Sequence, residues 1–260
     1  MRIPRLEGVI RRRLLVNFRA DPKVVERQLP PPFRPKLQAG FAVVGVCLIR
    51  LEHIRPAGLP AFLGVSSENA AHRIAVWWPD ADGRVQEGVY VLRRDSSSRL
   101  NHLVGGRLFP GAHHAATFAV ADSGARIELQ MASRDGKVAV RVAGHDTAEF
   151  PASSCFGSLA AASAFFEAGS KGYSTGRDPE RADGLLLQVD EWRVHPLATT
   201  EASSTYFQGG EGYPAGSVEF DHTLIMRDVQ HEWVALDDLA YAEPPAGLPD
   251  LALGSAGRTG

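Results

Sequence analysis

The chain has 260 residues, 44% hydrophobic and 22% charged, with 28 lysines and arginines against 30 aspartates and glutamates for a formal net charge of −2. That is apolar surface enough for a packed core and excludes a disordered composition, while the near-neutral balance leaves no electrostatic footprint for a nucleic-acid backbone. Cys47 and Cys155 stand apart with no CxxC spacing, the first residues lack the apolar stretch of a signal peptide, and the longest apolar run, 41–49, is about half what a bilayer-spanning helix requires. A cytoplasmic protein with no nucleic-acid or membrane partner is expected.

Apolar residues fall into short β-branched runs separated by Gly, Pro and Asp, the pattern of an antiparallel or mixed sheet. Arg11, Arg12 and Arg13 lead into the first run and read as a strand entrance. Strands are predicted over 14–18, 42–51, 73–78, 88–93, 114–120, 126–131, 138–142, 185–194 and 218–226. Asp21 caps a predicted helix that starts at Pro22, carries Val24, Val25 and Leu29, and ends at Pro30. Ser153 or Ser154 caps a second, running through Phe165 and Phe166 to Gly169, and shorter helices are predicted over 98–104 and 235–241. The class is therefore α+β and strand-dominated, with a large curved or closed sheet. A single domain over 1–243 and a flexible C-terminal tail over 244–260 are expected.

Several motifs that suggest chemistry lack its context. Gly172-Tyr173-Ser174-Thr175-Gly176 has the spacing of a nucleophile elbow, but a predicted helix precedes it and a polar stretch follows, so it reads as an ordinary loop. Gly210, Gly212 and Ala215 mimic a dinucleotide fingerprint, yet Pro214 and a strand near Val218 occupy the place of the phosphate-binding helix. The nine histidines show no metal-binding helical spacing, and His113 and His114, adjacent on a strand, point to opposite faces. No cofactor and no metal are expected.

Four segments together, LLVNFRADPKVVERQL at 14–29, VSSE at 65–68, RLFPG at 107–111 and FDH at 220–222, resemble the acetoacetate decarboxylase-like superfamily in order and spacing, and within it the DUF2071 or YqjF-like branch. The resemblance covers most of 8–240. It implies a cone-like, closed or strongly curved β-barrel with a few flanking helices and an interior pocket, and a homo-oligomer. In the decarboxylase a lysine pair after an aromatic-proline step forms a Schiff base with a β-keto acid. The matching stretch here is Phe109-Pro110-Gly111-Ala112-His113-His114, and no lysine lies between Lys36 and Lys137. Imine chemistry is therefore not expected. The family's pocket glutamate matches Glu68, its pocket arginine matches Arg11, and a second acidic position falls near Cys47, where no carboxylate exists.

An arginine facing a pocket suits a planar carboxylate, and a glutamate in an apolar barrel is raised by desolvation toward acid–base duty. Glu68 is thus a candidate general acid or base, or else one half of an ion pair with Arg73 or Arg11. His113 and His114 are candidate proton carriers beside the vacated lysine positions, or else rim and backbone-bonded residues. Arg73 and Arg107 are further anion-binding candidates, although Arg107 equally suits bracing a helix, and Phe109 joins Trp77, Trp78, Tyr206 and Phe207 as either cavity lining or core. The expected ligand is a small molecule, a carboxylate among the candidates. Two functions follow: a lysine-independent lyase, isomerase or cyclase on an oxo-acid or polyketide-like compound, or a non-catalytic binding protein.

Overall fold

The computed structural model describes residues 5–80, 82–98, 113–176 and 178–242. Strand β1 (Arg5–Ala20) runs through the middle of the molecule between β4 (Phe41–Pro56) and β13 (Val218–Ala240), antiparallel to both. Its Leu14, Val16 and Phe18 enter one apolar cluster with Val44, Val46 and Leu48, while Leu15 enters a second with Val43, Cys47 and Ile49. A strand covered on both faces must be apolar at successive positions, which accounts for the unbroken runs in β1 and β4. By contrast, β8 (Arg126–Ser133) alternates strictly between exposed and buried residues and covers one core with Ile127, Leu129 and Met131.

Hydrogen bonds join thirteen strands among the described residues in the order β11-β10-β6-β7-β8-β9-β12-β13-β1-β4-β5-β2, with β3 (Leu37–Gln38) paired to β4. Besides those already given, these are β2 (Arg34–Pro35), β5 (Val65–Pro79), β6 (Val85–Ser96), β7 (His113–Asp122), β9 (Ala139–Asp146), β10 (Lys171–Thr175), β11 (Arg181–Val189) and β12 (His195–Ser204). Two further pairings, β11 with β13 and β5 with β6, close the sheet on itself. The smaller ring consists of β13, β1, β4, β5, β6, β10 and β11. Long strands make this possible, because each changes partner along its length. β6 pairs with β10 at Val89 and Tyr90 and with β7 from Arg94 to Ser96; β13 pairs with β12 over Thr223–Ile225 and with β11 from His231 onward.

Helix α1 (Pro22–Glu26) starts as predicted, with Asp21 Oδ1 accepting from the Lys23 amide at 2.8 Å, but ends sooner. Helix α2 (Leu159–Ala168) is capped by Ser158, whose Oγ accepts from the Ala161 amide, and buries Ala162, Phe165 and Phe166 in the second cluster. The expected caps do not serve: Ser154 Oγ is committed to Asp221 at 2.6 Å. The helix predicted over 235–241 is instead the end of β13, since pairing with β11 satisfies that backbone. The loop predicted at 172–176 is strand β10, held between β6 and β11. Strand β12, rich in Thr and Ser, carries no apolar alternation and is formed by its ladders to β9 and β13. The predicted helix over 98–104 and the tail over 244–260 lie outside the described residues, except for Ser98. Among the described residues no helix is long and apolar enough to cross a membrane.

Candidate active site inside the smaller ring

A cavity of about 120 Å³ is lined by Trp233 from β13, Arg13 from β1, Cys47, Ile49 and Leu51 from β4, Asn69, Ala71 and Arg73 from β5, Val89 and Val91 from β6, Gly172 from β10, and Leu185 and Leu187 from β11. Every strand of the smaller ring contributes to it, so the cavity is the ring's interior. The contributing positions are two apart along β4 and β11, as the two-residue period of a strand requires, whereas β5 adds Ala70 between Asn69 and Ala71. Arg94, Asp95 and His113 add to the wall where β6 passes from β10 to β7.

Arg13 reaches this interior because of a bulge. Between Ile10 and Arg12 the register of β1 against β4 slips by one residue, and opposite Arg11 on β13 stands Asp228 in a left-handed conformation (φ 56°). An extra residue switches which face each later side chain takes. Leu6 and Ile10 before the bulge therefore share a cluster with Leu15 after it. Three consecutive arginines enter three environments. Arg11 stands in solvent, bonded to Asp228 at 2.6 Å and Glu52 at 3.2 Å. Arg12 is buried against Glu68 at 2.8 Å, with Asp122 at 3.4 Å. Arg13 enters the cavity, its Nε donating to Cys47 Sγ at 3.2 Å and its guanidinium 5.6 Å from the Trp192 ring centre.

Arg73 is buried, with no carboxylate in contact among the described residues. Cross-strand register places His222, Asn17, Gly45 and Arg73 in one row over β13, β1, β4 and β5. Gly45 leaves the gap over which the guanidinium reaches Asn17: a Cβ there would lie 2.6 Å from Val16 O and 3.2 Å from Asn17 Oδ1. Arg73 Nη2 donates to Asn17 Oδ1 at 2.8 Å. A guanidinium can only donate, so the amide's orientation is fixed, and Asn17 Nδ2 donates to Leu15 O and to His222 Nε2, both at 3.0 Å. His222 consequently carries its proton on Nδ1 and gives it to Asp221 Oδ2 at 2.5 Å. Ser154 Oγ and the Cys155 amide also donate to this aspartate, and Arg19 Nη1 lies 4.0 Å from it. Burial pushes the Asp221 carboxyl up, but the bonds from His222, Ser154 and Cys155 outweigh it and hold it near 2. Burial lowers His222, opposed by Asp221, which agrees with a neutral imidazole.

Burial also lowers Arg73 and Arg94 to about 10, so both remain cationic at neutral pH. Arg73 Nε and Nη1 and Arg13 Nη1 are buried and have no hydrogen-bond partner among the described residues. Asp95, the carboxylate in the wall, is held from two sides by Arg93 at 2.8 and 2.9 Å. The cavity therefore presents uncommitted cationic donors on apolar walls, the environment a small anion needs.

A family model for DUF2071, described as an uncharacterized conserved protein, matches residues 9–226. The chain belongs to the DUF2071 family. No curated protein matches it. Among solved structures, the acetoacetate decarboxylase of Legionella pneumophila is 10% identical with a TM-score of 0.56, covering 90% of this chain and 87% of that one. An acetoacetate decarboxylase-like enzyme from Sphingomonas wittichii RW1 is 14% identical, also at 0.56, covering 92% and 93%. The enduracididine biosynthesis enzyme MppR complexed with pyruvate is 13% identical at 0.52, covering 92% and 90%. These likenesses establish the fold of this DUF2071 protein as acetoacetate decarboxylase-like.

The structure of this DUF2071 chain brings only some of the sequence candidates together. Arg73 and His113 line the cavity. Arg11 does not reach it, because the bulge turns that residue outward. Glu68 alternates with Asn69 on β5, faces away from the cavity and is paired with Arg12, neither of the two arginines expected. His114 points away from its neighbour, partly exposed, 3.4 Å from Asp135, and is lowered chiefly by burial. Trp78, Tyr206 and Phe207 pack in or against the other core cluster, and Trp77 does not line the cavity. Arg107 and Phe109 lie outside the described residues. Arg13, Arg94 and Trp233 are pocket residues that the sequence reading misses, Cys47 enters it only as a position that lacks a carboxylate, and Asn17 and His222 are missed as their support. The available signal was three arginines beside a doubly buried strand, together with the asparagine of LLVNF.

The lysines are placed elsewhere. Lys36 pairs with Glu87 and lies 4.0 Å from the Phe165 ring centre, Lys171 Nζ donates to Gln86 Oε1 at 2.6 Å, and Lys23 and Lys137 are exposed.

Proposed function

We propose that this DUF2071 protein binds a small organic acid in the interior of its smaller ring and acts on it by acid–base chemistry without a Schiff base, as a lyase, isomerase or cyclase on an oxo-acid or polyketide-like substrate. The observation that carries the reading is Arg73, a buried guanidinium with two uncommitted nitrogens in a cavity whose walls are largely apolar. Leaving such donors unpaired costs about 1–3 kcal/mol each, and more when they are charged, a cost that a bound carboxylate removes. Arg13 and Arg94 supply further positive charge, and His113 is the titratable side chain placed to carry a proton. A structural neighbour holding pyruvate supports the ligand class. Glu68, fixed to Arg12 away from the cavity, is assigned a structural part.

The test is calorimetry with pyruvate, acetoacetate and their uncharged amides, with NMR of the same mixtures and borohydride trapping read by intact mass. The acids bind, the amides bind at least tenfold more weakly, and no reduced adduct forms. Equal binding of acid and amide overturns the carboxylate reading, and a trapped adduct overturns the lysine-free one. Acid binding without any change of substrate across an oxo-acid panel assigns the protein to non-catalytic binding, the reading that the removal of Glu68 from the cavity favours.

A further inference from the structure

We propose that Cys47 is the nucleophile of this cavity and that its sulfur adds to an electrophilic carbon next to the carboxylate of the bound acid. This rests on the reading of the cavity as a carboxylate site. Cross-strand register places the sulfur among the three arginines. Cys47 faces Leu15 on one side and Ala71 on the other, and Ala71 in turn faces Arg94. One row away on the same face Ile49 pairs with Arg13, and one row away in the other direction Gly45 pairs with Arg73. Successive rows on one face of a sheet are about 7 Å apart. Arginine side chains span that distance, and Arg13 Nε does reach Cys47 Sγ, at 3.2 Å.

The sulfur accepts from Arg13 Nε in a wall that Arg73 and Arg94 also line, so an acid drawn to those cations is held beside it. The second, independent sign of a ligand is Arg73, 3% exposed, with Nε and Nη1 uncommitted in the same wall. An acid whose carboxylate takes those nitrogens has its neighbouring carbons beside Cys47. With a 2-oxo acid the S–C bond forms at the carbonyl carbon, the π electrons move to the oxygen, and the thiol proton ends there, giving a thiohemiketal without any redox partner. With a haloacetate the S–C bond forms as the C–I bond breaks, iodide leaves, and the thiol proton passes to solvent.

The haloacetate is the probe. The full-length protein is treated with iodoacetate or iodoacetamide, and the rate at each cysteine is read by peptide mass, with the same chain unfolded in urea as reference. Folding raises the iodoacetate-to-iodoacetamide rate ratio at Cys47 at least tenfold, and propionate suppresses the iodoacetate reaction. Cys155 shows no such rise, since its carboxylate neighbour Asp221 repels an acid. A ratio at Cys47 that is unchanged or lower on folding overturns the proposal, as does resistance of folded Cys47 to both reagents while the unfolded chain is fully modified. Propionate binding by calorimetry separates the two readings. Binding without the raised ratio removes Cys47 and leaves the acid site standing, whereas neither binding nor a raised ratio removes both.

Discussion

Replacing Asn17 by alanine tests whether the row His222–Asn17–Gly45–Arg73 holds the cavity's arginine. The substitution removes the 2.8 Å bond from Arg73 and leaves His222 Nε2 without its donor. A hydrogen bond to a charged group contributes about 1.5–3 kcal/mol, and an orphaned buried acceptor costs about 1–3 kcal/mol. Together the loss is roughly 3–5 kcal/mol. For a chain of this size each kcal/mol moves Tm by about 2–4 °C, so scanning calorimetry is expected to show a fall of roughly 6–20 °C. Propionate binds at least tenfold more weakly, because the guanidinium is no longer aimed. A Tm within about 3 °C of the parent, with unchanged propionate affinity, would refute the claim that this network positions Arg73.

Three other outcomes are expected. His72, fully buried, is lowered to about 3 by burial and then by Arg93, and burial lowers His231 to about 4. Both folded values lie below the ordinary 6.5, so the unfolded chain takes up the proton first. Their stabilisation is complete above pH 6.5 and is lost as pH falls toward the folded values, with a slope of up to about 1.4 kcal/mol per pH unit for each histidine. Urea melts at pH 7 and 5 measure this slope, and His72→Gln reduces it. Arg12→Met strands Glu68 without its buried partner and costs about 3–5 kcal/mol by urea denaturation, whereas Arg11→Met, in solvent, shifts the midpoint far less. A larger loss for Arg11→Met contradicts the outward bulge. Gly45→Ala forces a Cβ against Val16 O, costs about 1–3 kcal/mol as overpacking, and weakens propionate binding; a neutral effect on both shows that the sheet yields there.

The architecture was largely legible because the cores of the major strands are set by local apolar patterning, and runs such as 42–51 declare a strand covered on both faces. Where the reading failed, distant partners decide the structure. The end of β13 has enough Ala and Leu to suggest a helix, and only β11, some fifty residues earlier, makes it a strand. The site was harder. Whether Arg11, Arg12 or Arg13 points inward depends on a bulge completed by Asp228 on another strand, which nothing in the Arg-Arg-Arg tripeptide reveals. Asn17 and His222 lay within the segments that carried the family resemblance, but their purpose appears only when four strands are in register. Cys47 was noticed as a missing carboxylate; its meaning comes from the arginines that gather around it.

Because the cavity wall is drawn largely from the middles of paired strands, its shape has little to do with loop length. Evolution of ligand preference in such a wall proceeds by exchanging one inward side chain at a time, each held to a fixed position by ladders on both sides. A replacement at 47, 49, 71 or 91 puts its new functional group at a location the backbone already dictates. The same rigidity limits what can be accommodated: a bulkier ligand must be met by smaller residues along those strands.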